Sequence, residues 1–254
     1  MSVPIGTPGK LADFLARARE FRRRYQGPEG LFWIRRVNHP VGAMLALPLL
    51  PTRVTPNAVT VAGLLVHLLG ALIVALASPP ASLLVMLAVL IIWQLAFSLD
   101  CADGQLARAR GQASAFGAWF DQLVDVVSHA AVYTSLSLFL VRALDPDAGT
   151  AVVLAATAIT LSLLQTFSTW QRAELISRER PVGERPSPQL LLLYASRHLL
   201  DYGWFLLAAS VLLLWPPGLF AFLIFSGLLQ GLYVAAQILL SWRGRDTNGS
   251  SAGE

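Results

Sequence analysis

Apolar residues along this chain are gathered into long runs that are separated by short polar or proline-containing breaks. A helix needs about 20 residues to cross the hydrocarbon core of a membrane. Six runs are of about this length: residues 58–78, 82–101, 118–143, 149–172, 191–214 and 217–241. The breaks contain turn-forming sequences such as Ser78-Pro79-Pro80 and Trp215-Pro216-Pro217-Gly218. The pattern predicts an all-α integral membrane protein with six transmembrane helices.

The residues before the first run combine apolar and basic positions. Residues 9–25 place apolar side chains at helical spacing among arginines, which is typical of an amphipathic helix at an anionic membrane surface. Residues 31–50 mix aromatic and basic side chains and predict a second juxtamembrane helix. Thr55 is suited to cap a helix that begins at Pro56. We therefore divide the chain into interfacial helices in residues 1–54, a six-helix transmembrane domain in residues 55–242 and a disordered cytoplasmic tail in residues 243–254.

Composition supports a membrane protein, because 55% of the residues are hydrophobic and only 13% are charged. Soluble domains carry about 25% charged residues. The net charge of +4 is too small and too dispersed to indicate a nucleic-acid partner. Cys101 is the single cysteine, so no disulfide can form within the chain.

Basic residues are distributed unevenly over the predicted loops. If the N-terminus is cytoplasmic, every lysine and arginine except Arg142 falls on the cytoplasmic side. The positive-inside rule therefore predicts this orientation. Lys10 is the single lysine among 19 basic residues, and such a bias towards arginine is typical of GC-rich bacterial genomes. We expect a multi-pass protein of the bacterial cytoplasmic membrane.

Four aspartates stand where the second apolar run ends and the third begins. Asp100 and Asp103 are three residues apart, and Asp121 and Asp125 are four apart, so each pair shares one face of a helix. A short loop joins the two helices, which we expect to be antiparallel neighbours with all four carboxylates near the cytoplasmic surface. Carboxylates this close repel one another unless protons or cations neutralise them. Oxygen ligands favour Mg²⁺ or Mn²⁺, and four carboxylates suit two such ions that clamp a phosphate or pyrophosphate.

Small and basic residues lie between these acids. Gly104 and Gly117 allow the backbone to approach a bulky ligand, and Ala107 is also small. Arg108 can donate two parallel hydrogen bonds to a phosphate. These residue types are those expected around a nucleotide diphosphate that is bound through metal ions.

The pattern Asp100-x2-Asp103-Gly104-x2-Ala107-Arg108-x8-Gly117-x3-Asp121-x3-Asp125 resembles the signature of the CDP-alcohol phosphotransferase family. We call these eight residues the signature. The six-span outline and the Thr55-Pro56-Asn57 sequence before the first span are also similar to the family, so the resemblance covers about residues 50–242. Members of this family move a substituted phosphoryl group from a CDP-linked donor to an alcohol and release CMP.

The resemblance also implies a role for each signature residue. Metal ions would be held by Asp100, Asp103 and Asp121. Asp125 would be the general base and would also contribute to the metal site. The remaining signature residues would bind the donor. The cytidine and ribose pocket would be lined by Gly104, Ala107 and Gly117, and Arg108 would hold the phosphates. Outside the signature, Thr55 and Asn57 would border the nucleotide. A homodimer is implied by the resemblance alone.

Several polar residues outside the signature are open to two interpretations. Arg172 and Arg197 are candidates for binding an acceptor phosphate. Arg172 equally fits the positive-inside pattern, and Arg197 can pair with Asp201 four residues later. His67 and His129 lie within predicted spans, where hydrogen-bonded packing is the simpler interpretation.

The expected function is transfer of a phosphatidyl group from CDP-diacylglycerol to an alcohol such as glycerol phosphate, inositol phosphate, inositol or serine, in phospholipid biosynthesis. An alternative within the family is transfer of a head-group phosphate from a soluble CDP-alcohol to a lipid or polyol acceptor, and the signature is common to both. An alternative of another class is a divalent-cation transporter. Transport sites tend to lie at the membrane midplane, whereas these acids lie towards one face.

Overall fold

The computed structural model describes residues 10–27, 31–145, 147, 150, 151, 153, 154, 156, 157, 160, 163 and 201–249, with side chains in the last range up to 236 and at 239. Regular structure in these residues is helical throughout, and they contain no strand. The helices are α1 (Lys10–Tyr25), α2 (His39–Leu49), α3 (Pro56–Leu76), α4 (Leu83–Ala109), α5 (Ala115–Leu144), α6 (Tyr202–Leu212) and α7 (Pro216–Gly249). A π-helical turn, Ile34–Asn38, leads directly into α2.

Four helices are long and apolar enough to cross a membrane, namely Pro56–Leu76, Leu83–Ala109, Ala115–Leu144 and the first part of α7, Pro216–Ala236. These correspond to the first, second, third and sixth predicted spans. The fourth predicted span lies mostly outside the described residues. The described part of the fifth is α6, which has 11 residues and is too short to span by itself. An all-helical membrane protein is therefore confirmed, while six spans stay a prediction.

Hydroxyl side chains cap α3 and α5 at the end of the bundle where the signature lies. Thr55 accepts a hydrogen bond from the backbone nitrogen of Ala58 at 3.2 Å, and Pro56 is the first residue of α3, as predicted. Ser114 likewise caps α5. The helix α4 extends to Ala109, well past the end of the predicted apolar run, so Asp100 and Asp103 are both helical. It ends where Gly111 adopts a φ of +64°, a conformation that glycine adopts without a steric penalty.

The helix α3 packs against both α4 and α5. Its glycines allow a close approach to α4, because a Cβ atom on Gly70 would lie 2.4 Å from Nε1 of Trp93. By contrast, α4 and α5 make few close backbone contacts with each other. Both helices contact α3 more extensively than they contact each other, and the prediction that α4 and α5 are neighbours holds where their carboxylates meet. Asp100 and Asp103 of α4 meet Asp121 of α5 at one end of these helices.

The N-terminal segment packs on the signature end of the bundle. Residues 9–25 were predicted to be helical, and α1 forms there with Ala18 and Phe21 buried and most of its charged side chains exposed. Phe21 belongs to an apolar cluster with Ala43, Ala46 and Leu106. Residues 31–50 are also largely helical. The location of these helices at a membrane surface stays a prediction.

The carboxylate of Asp201 joins two helix starts. One oxygen accepts from the backbone nitrogen of Trp33 at 2.8 Å, and the other accepts from that of Gly203 at 3.1 Å. Gln94 on α4 donates to the carbonyl of Gly203 at 2.8 Å and accepts from the indole of Trp33 at 3.0 Å. These bonds hold the segment before α2 and the start of α6 against α4. The alternative pairing of Asp201 with Arg197 involves a residue outside the described ones.

The last helix is longer than predicted. Residues 243–249 were expected to belong to a disordered tail, but α7 continues to Gly249. No proline interrupts this stretch, and each residue added to an existing helix gains a backbone hydrogen bond.

Candidate active site

Three signature carboxylates meet at one end of the bundle. Asp100 and Asp103 lie near the C-terminus of α4, and Asp121 lies in the second turn of α5. Each offers one oxygen to a group in which these atoms all lie within 4.8 Å of one another. The carboxyl groups of Asp100 and Asp121 are within hydrogen-bonding distance. The structure therefore brings together three of the four residues predicted to hold metal.

The chemistry of this group fits a divalent cation. Oδ1 of Asp121 is buried and has no hydrogen-bond partner among the described residues. A buried carboxylate oxygen without a partner costs free energy that a cation would recover. Every donor in the group is a carboxylate oxygen, which matches Mg²⁺ or Mn²⁺ and differs from the sulfur and nitrogen sets that are usual for zinc.

Asp125 lies beside the group of three and is not part of it. It follows Asp121 by one turn of α5 and is partly buried. Its charge interacts with those of Asp100 and Asp121, so it is close to both. Its roles as general base and as a further metal ligand stay predictions.

Thr60 contacts the carboxylate group and was not identified from the sequence. Its hydroxyl is buried and hydrogen-bonds to Oδ2 of Asp103, which is itself only 5% exposed. Thr60 lies three residues after Asn57 on α3, so the two share a helix face. That spacing is the signal that could have identified Thr60, once α3 was placed beside α4.

Arg108 lies over Gly104 on the last turns of α4. A Cβ atom on Gly104 would be 3.2 Å from Nη1 of Arg108, so the missing side chain leaves space for the guanidinium. Nε of Arg108 donates to the backbone carbonyl of Tyr25 at 2.6 Å. The charge of Arg108 also interacts with those of Asp103 and Asp121. The arginine thus lies between the end of α1 and the carboxylates.

The N-termini of α3 and α5 lie next to each other at this end of the bundle. A Cβ atom on Gly117 would be 3.8 Å from Oδ1 of Asn57 and 3.3 Å from the hydroxyl of Ser114. Two predicted nucleotide-site residues, Asn57 and Gly117, are therefore close together, whereas Thr55 is exposed and caps α3. Helix N-termini carry partial positive charge and favour phosphate.

Ala107, a predicted site residue, and Arg110, which was not predicted, both make backbone contacts around the end of α4. Ala107 is partly buried on the last turn of α4, where its carbonyl accepts from the backbone nitrogen of Gln112 at 2.8 Å. Arg110 donates to backbone carbonyls between α2 and α3, including that of Thr52 at 2.9 Å, and so stabilises this connection. The acceptor candidates Arg172 and Arg197 lie outside the described residues.

Comparison with known families gives a match to the CDP-alcohol phosphatidyltransferase model over residues 53–216. The matched range contains α3 to α6 and every signature residue. Comparison with individual curated proteins gives no match. Because the match covers more than half of the sequence and includes the carboxylate group described above, the chain belongs to the CDP-alcohol phosphatidyltransferase family.

Proposed function

We propose that the protein transfers a phosphatidyl group from CDP-diacylglycerol to an alcohol acceptor, with release of CMP, in phospholipid biosynthesis. The observation that carries the proposal is the meeting of Asp100, Asp103 and Asp121 within 4.8 Å at the family signature. The family match supports phosphatidyl transfer between a CDP-alcohol and an alcohol, and it gives no support to a cation transporter.

The three grouped aspartates would hold the cation, Mg²⁺ or Mn²⁺. A bound cation would neutralise charge on the donor pyrophosphate. Thr60 hydrogen-bonds to Asp103 and so fixes the direction in which that carboxylate presents its oxygens. A second ion, as expected from four acids, would need Asp125 as a further ligand.

Asp125 is suited to act as the general base because it lies one turn from Asp121, beside the grouped carboxylates. It would accept the proton of the acceptor hydroxyl as that oxygen attacks the β-phosphorus of the donor. The new phosphorus–oxygen bond forms on one side of the β-phosphorus. On the opposite side, the bond from the β-phosphorus to the bridging oxygen breaks, and that oxygen leaves with CMP. Fixing the two reactants in line provides much of the rate enhancement.

The donor nucleotide would occupy the space around Gly104 and Gly117. Arg108 over Gly104 can donate to a phosphate, and the adjacent N-termini of α3 and α5 favour negative charge. Asn57 next to Gly117 supplies an amide for the nucleotide. Arg172 and Arg197 are proposed acceptor contacts because their charge favours an acceptor phosphate. Arg197→Ala should therefore raise the KM of the acceptor more than that of the donor.

The distribution of lysine and arginine supports a cytoplasmic N-terminus and a cytoplasmic active site. In that orientation, the water-soluble nucleotide is reached from the cytoplasm while the acyl chains of the donor remain in the bilayer. We propose the bacterial cytoplasmic membrane as the location and a homodimer as the assembly.

Release of CMP tests the proposal directly. The purified full-length protein in detergent would be given CDP-diacylglycerol and Mg²⁺ or Mn²⁺ with a panel of alcohols: glycerol phosphate, inositol phosphate, inositol and serine. Parallel reactions would contain a soluble CDP-alcohol with diacylglycerol or a polyol. We expect CMP release with CDP-diacylglycerol and one of the alcohols. Release only with the soluble donor would support the alternative within the family.

The Asp125→Asn variant should lose CMP release while remaining folded. The same change at Asp13, an exposed aspartate on α1, provides a matched control and should leave the rate unchanged. Full turnover by Asp125→Asn would remove the general-base assignment. No CMP release from any donor by the wild-type protein would refute the proposed function.

A further inference from the structure

Three buried rings from different helices form a cluster next to the carboxylates. They are His67 on α3, His129 on α5 and Tyr202 at the start of α6, and none is more than 9% exposed. The ring centroids of His129 and Tyr202 lie 4.0 Å apart in a T-shaped arrangement, and those of His67 and Tyr202 lie 6.4 Å apart. We call these three residues the ring cluster.

The ring cluster adjoins the active site on the side that leads into the bundle. His129 follows Asp125 by one turn of α5. Phe97, which precedes Asp100 by one turn of α4, meets the ring of Tyr202 edge-on at 5.5 Å. Through these contacts with His129 and Phe97, the ring of Tyr202 lies about one helical turn from Asp125 on α5 and from Asp100 on α4. A ligand at Asp125 could therefore extend into the ring cluster.

Two polar atoms of the ring cluster are buried without a hydrogen-bond partner among the residues that the structure covers: Nε2 of His67 and the hydroxyl of Tyr202. The other ring nitrogen of His67 bonds to the backbone of Gly63, so this histidine is hydrogen-bonded on one side only. Because that bond is to a carbonyl, Nδ1 carries the proton and Nε2 is a hydrogen-bond acceptor. The hydroxyl of Tyr202 can donate or accept. Leaving such atoms unpaired within a membrane is costly.

We infer that His67 and Tyr202 form a subsite that binds an uncharged hydroxyl group of the acceptor, next to the hydroxyl that attacks the donor. A hydroxyl can donate to Nε2 of His67 and accept from Tyr202, which satisfies both unpaired atoms. The ring cluster contains no carboxylate or guanidinium, and a charged ammonium or phosphate is disfavoured at this depth. The inference rests on the proposed function and narrows its acceptor to a polyol rather than an amino alcohol.

A pair of acceptors that differ by one hydroxyl tests the subsite. Glycerol 3-phosphate would be compared with 3-hydroxypropyl phosphate, and inositol with its deoxy analogues that lack a hydroxyl next to the attacking one. CMP release by the full-length protein from CDP-diacylglycerol gives kcat/KM for each acceptor. We expect the wild-type protein to favour the complete polyol by at least about tenfold, the ratio that corresponds to about 1.4 kcal/mol.

The Tyr202→Phe variant should lose most of this preference. Its kcat/KM should fall about tenfold with the complete polyol and stay close to the wild-type value with the deoxy analogue, because only the complete polyol uses the phenolic hydroxyl. His67→Phe should also lower kcat/KM for the complete polyol and so reduce the preference. His67→Gln, which keeps a hydrogen-bonding group, should retain part of the preference.

Tyr133→Phe is the matched control. Tyr133 is buried on α5, one turn beyond His129, and its hydroxyl is bonded to Gln230 at 3.0 Å. This variant should keep the wild-type preference between the two acceptors. An equal loss of kcat/KM for both acceptors in Tyr202→Phe would show a purely structural role and overturn the inference.

Three further outcomes separate the inference from the proposed function. If CMP is released only with serine or with acceptors that have one hydroxyl, the subsite is refuted and the proposed function stands. If none of the acceptors supports CMP release, both the subsite and the proposed function are refuted. Equal use of a polyol and its deoxy analogue by the wild-type protein would show that His67 and Tyr202 bind no acceptor hydroxyl, and would also overturn the subsite.

Discussion

Nε of Arg108 donates a 2.6 Å hydrogen bond to the backbone carbonyl of Tyr25, the last residue of α1. The final carbonyls of a helix carry partial negative charge, which favours a guanidinium there. Tyr25 lies outside the range matched by the family, and Arg108 lies within the signature. An element beyond the family match therefore positions a residue proposed to bind the donor phosphates.

The Arg108→Lys variant tests this positioning. Lysine keeps the charge but lacks the rigid fork of donors, so it cannot bond to Tyr25 and to a phosphate in the same geometry. We expect the KM of CDP-diacylglycerol to rise by about tenfold, equivalent to about 1.4 kcal/mol, with a smaller change in kcat. Steady-state kinetics of CMP release would measure both values. Arg19 is exposed on α1, and Arg19→Lys is the matched control. An unchanged KM in Arg108→Lys would count against the proposed contact between Arg108 and the donor phosphates.

Thr60→Val should weaken metal binding, because valine has a similar shape but cannot hydrogen-bond to Asp103. Loss of a group that orients a metal ligand typically lowers metal affinity by about 10- to 100-fold. The apparent affinity for Mn²⁺, measured by electron paramagnetic resonance or by the Mn²⁺ dependence of CMP release, should fall within that range. Thr60→Ser keeps the hydroxyl and should bind Mn²⁺ almost as the wild type does. Equal affinity in Thr60→Val would show that the hydrogen bond has no effect on the metal.

Asp121→Asn should separate metal binding from intrinsic stability. In the wild type, Mn²⁺ at about 100 times its Kd should stabilise the folded state by about 2.7 kcal/mol. The variant should lose this increase in thermal stability. Without metal, it should be as stable as the wild type or more stable, because one repulsive charge is removed from the group. Melting temperatures with Mn²⁺ and with a chelator would measure both effects, and a full Mn²⁺ response in the variant would contradict the proposed site.

Gly70→Ala should destabilise the contact between α3 and α4. The new methyl group would lie 2.4 Å from Nε1 of Trp93, which is fully buried and cannot move freely. Overpacking of this kind typically costs about 1–3 kcal/mol. Gly231→Ala on α7 is the matched control, since no atom lies within 4 Å of its Cβ position and alanine favours a helix. A lower melting temperature for the first variant alone would confirm the close approach.

Much of the fold follows from local sequence patterns. Long apolar runs indicate helices because no other element satisfies the backbone within a membrane, apart from a closed barrel. Thr55 and Pro56 mark the start of α3 because capping depends on neighbouring residues only. Helix ends that lie in polar sequence were less predictable. The extension of α4 to Ala109 depends on where the first strong break occurs, and hydropathy does not report that.

The carboxylate site was predictable in part. Spacings of three and four residues place Asp100 with Asp103 and Asp121 with Asp125, because helical periodicity is a local property. Chain order predicts that α4 and α5 are neighbours, but it does not show that α3 contacts both of them. Spacing alone does not show which carboxylates meet, and the structure groups three of them and leaves Asp125 one turn from Asp121.

The sequence by itself determined the helical membrane class, the start of α3 and the residues of the signature. Only the tertiary structure decided that Thr60 meets Asp103, that Tyr25 holds Arg108 and that His67 lies near Tyr202. The physical reason is the separation in sequence between the residues that interact. Helix formation and capping depend on residues within a turn or two, whereas these contacts join positions 43, 83 and 135 residues apart and depend on how α1, α3, α4 and α6 pack.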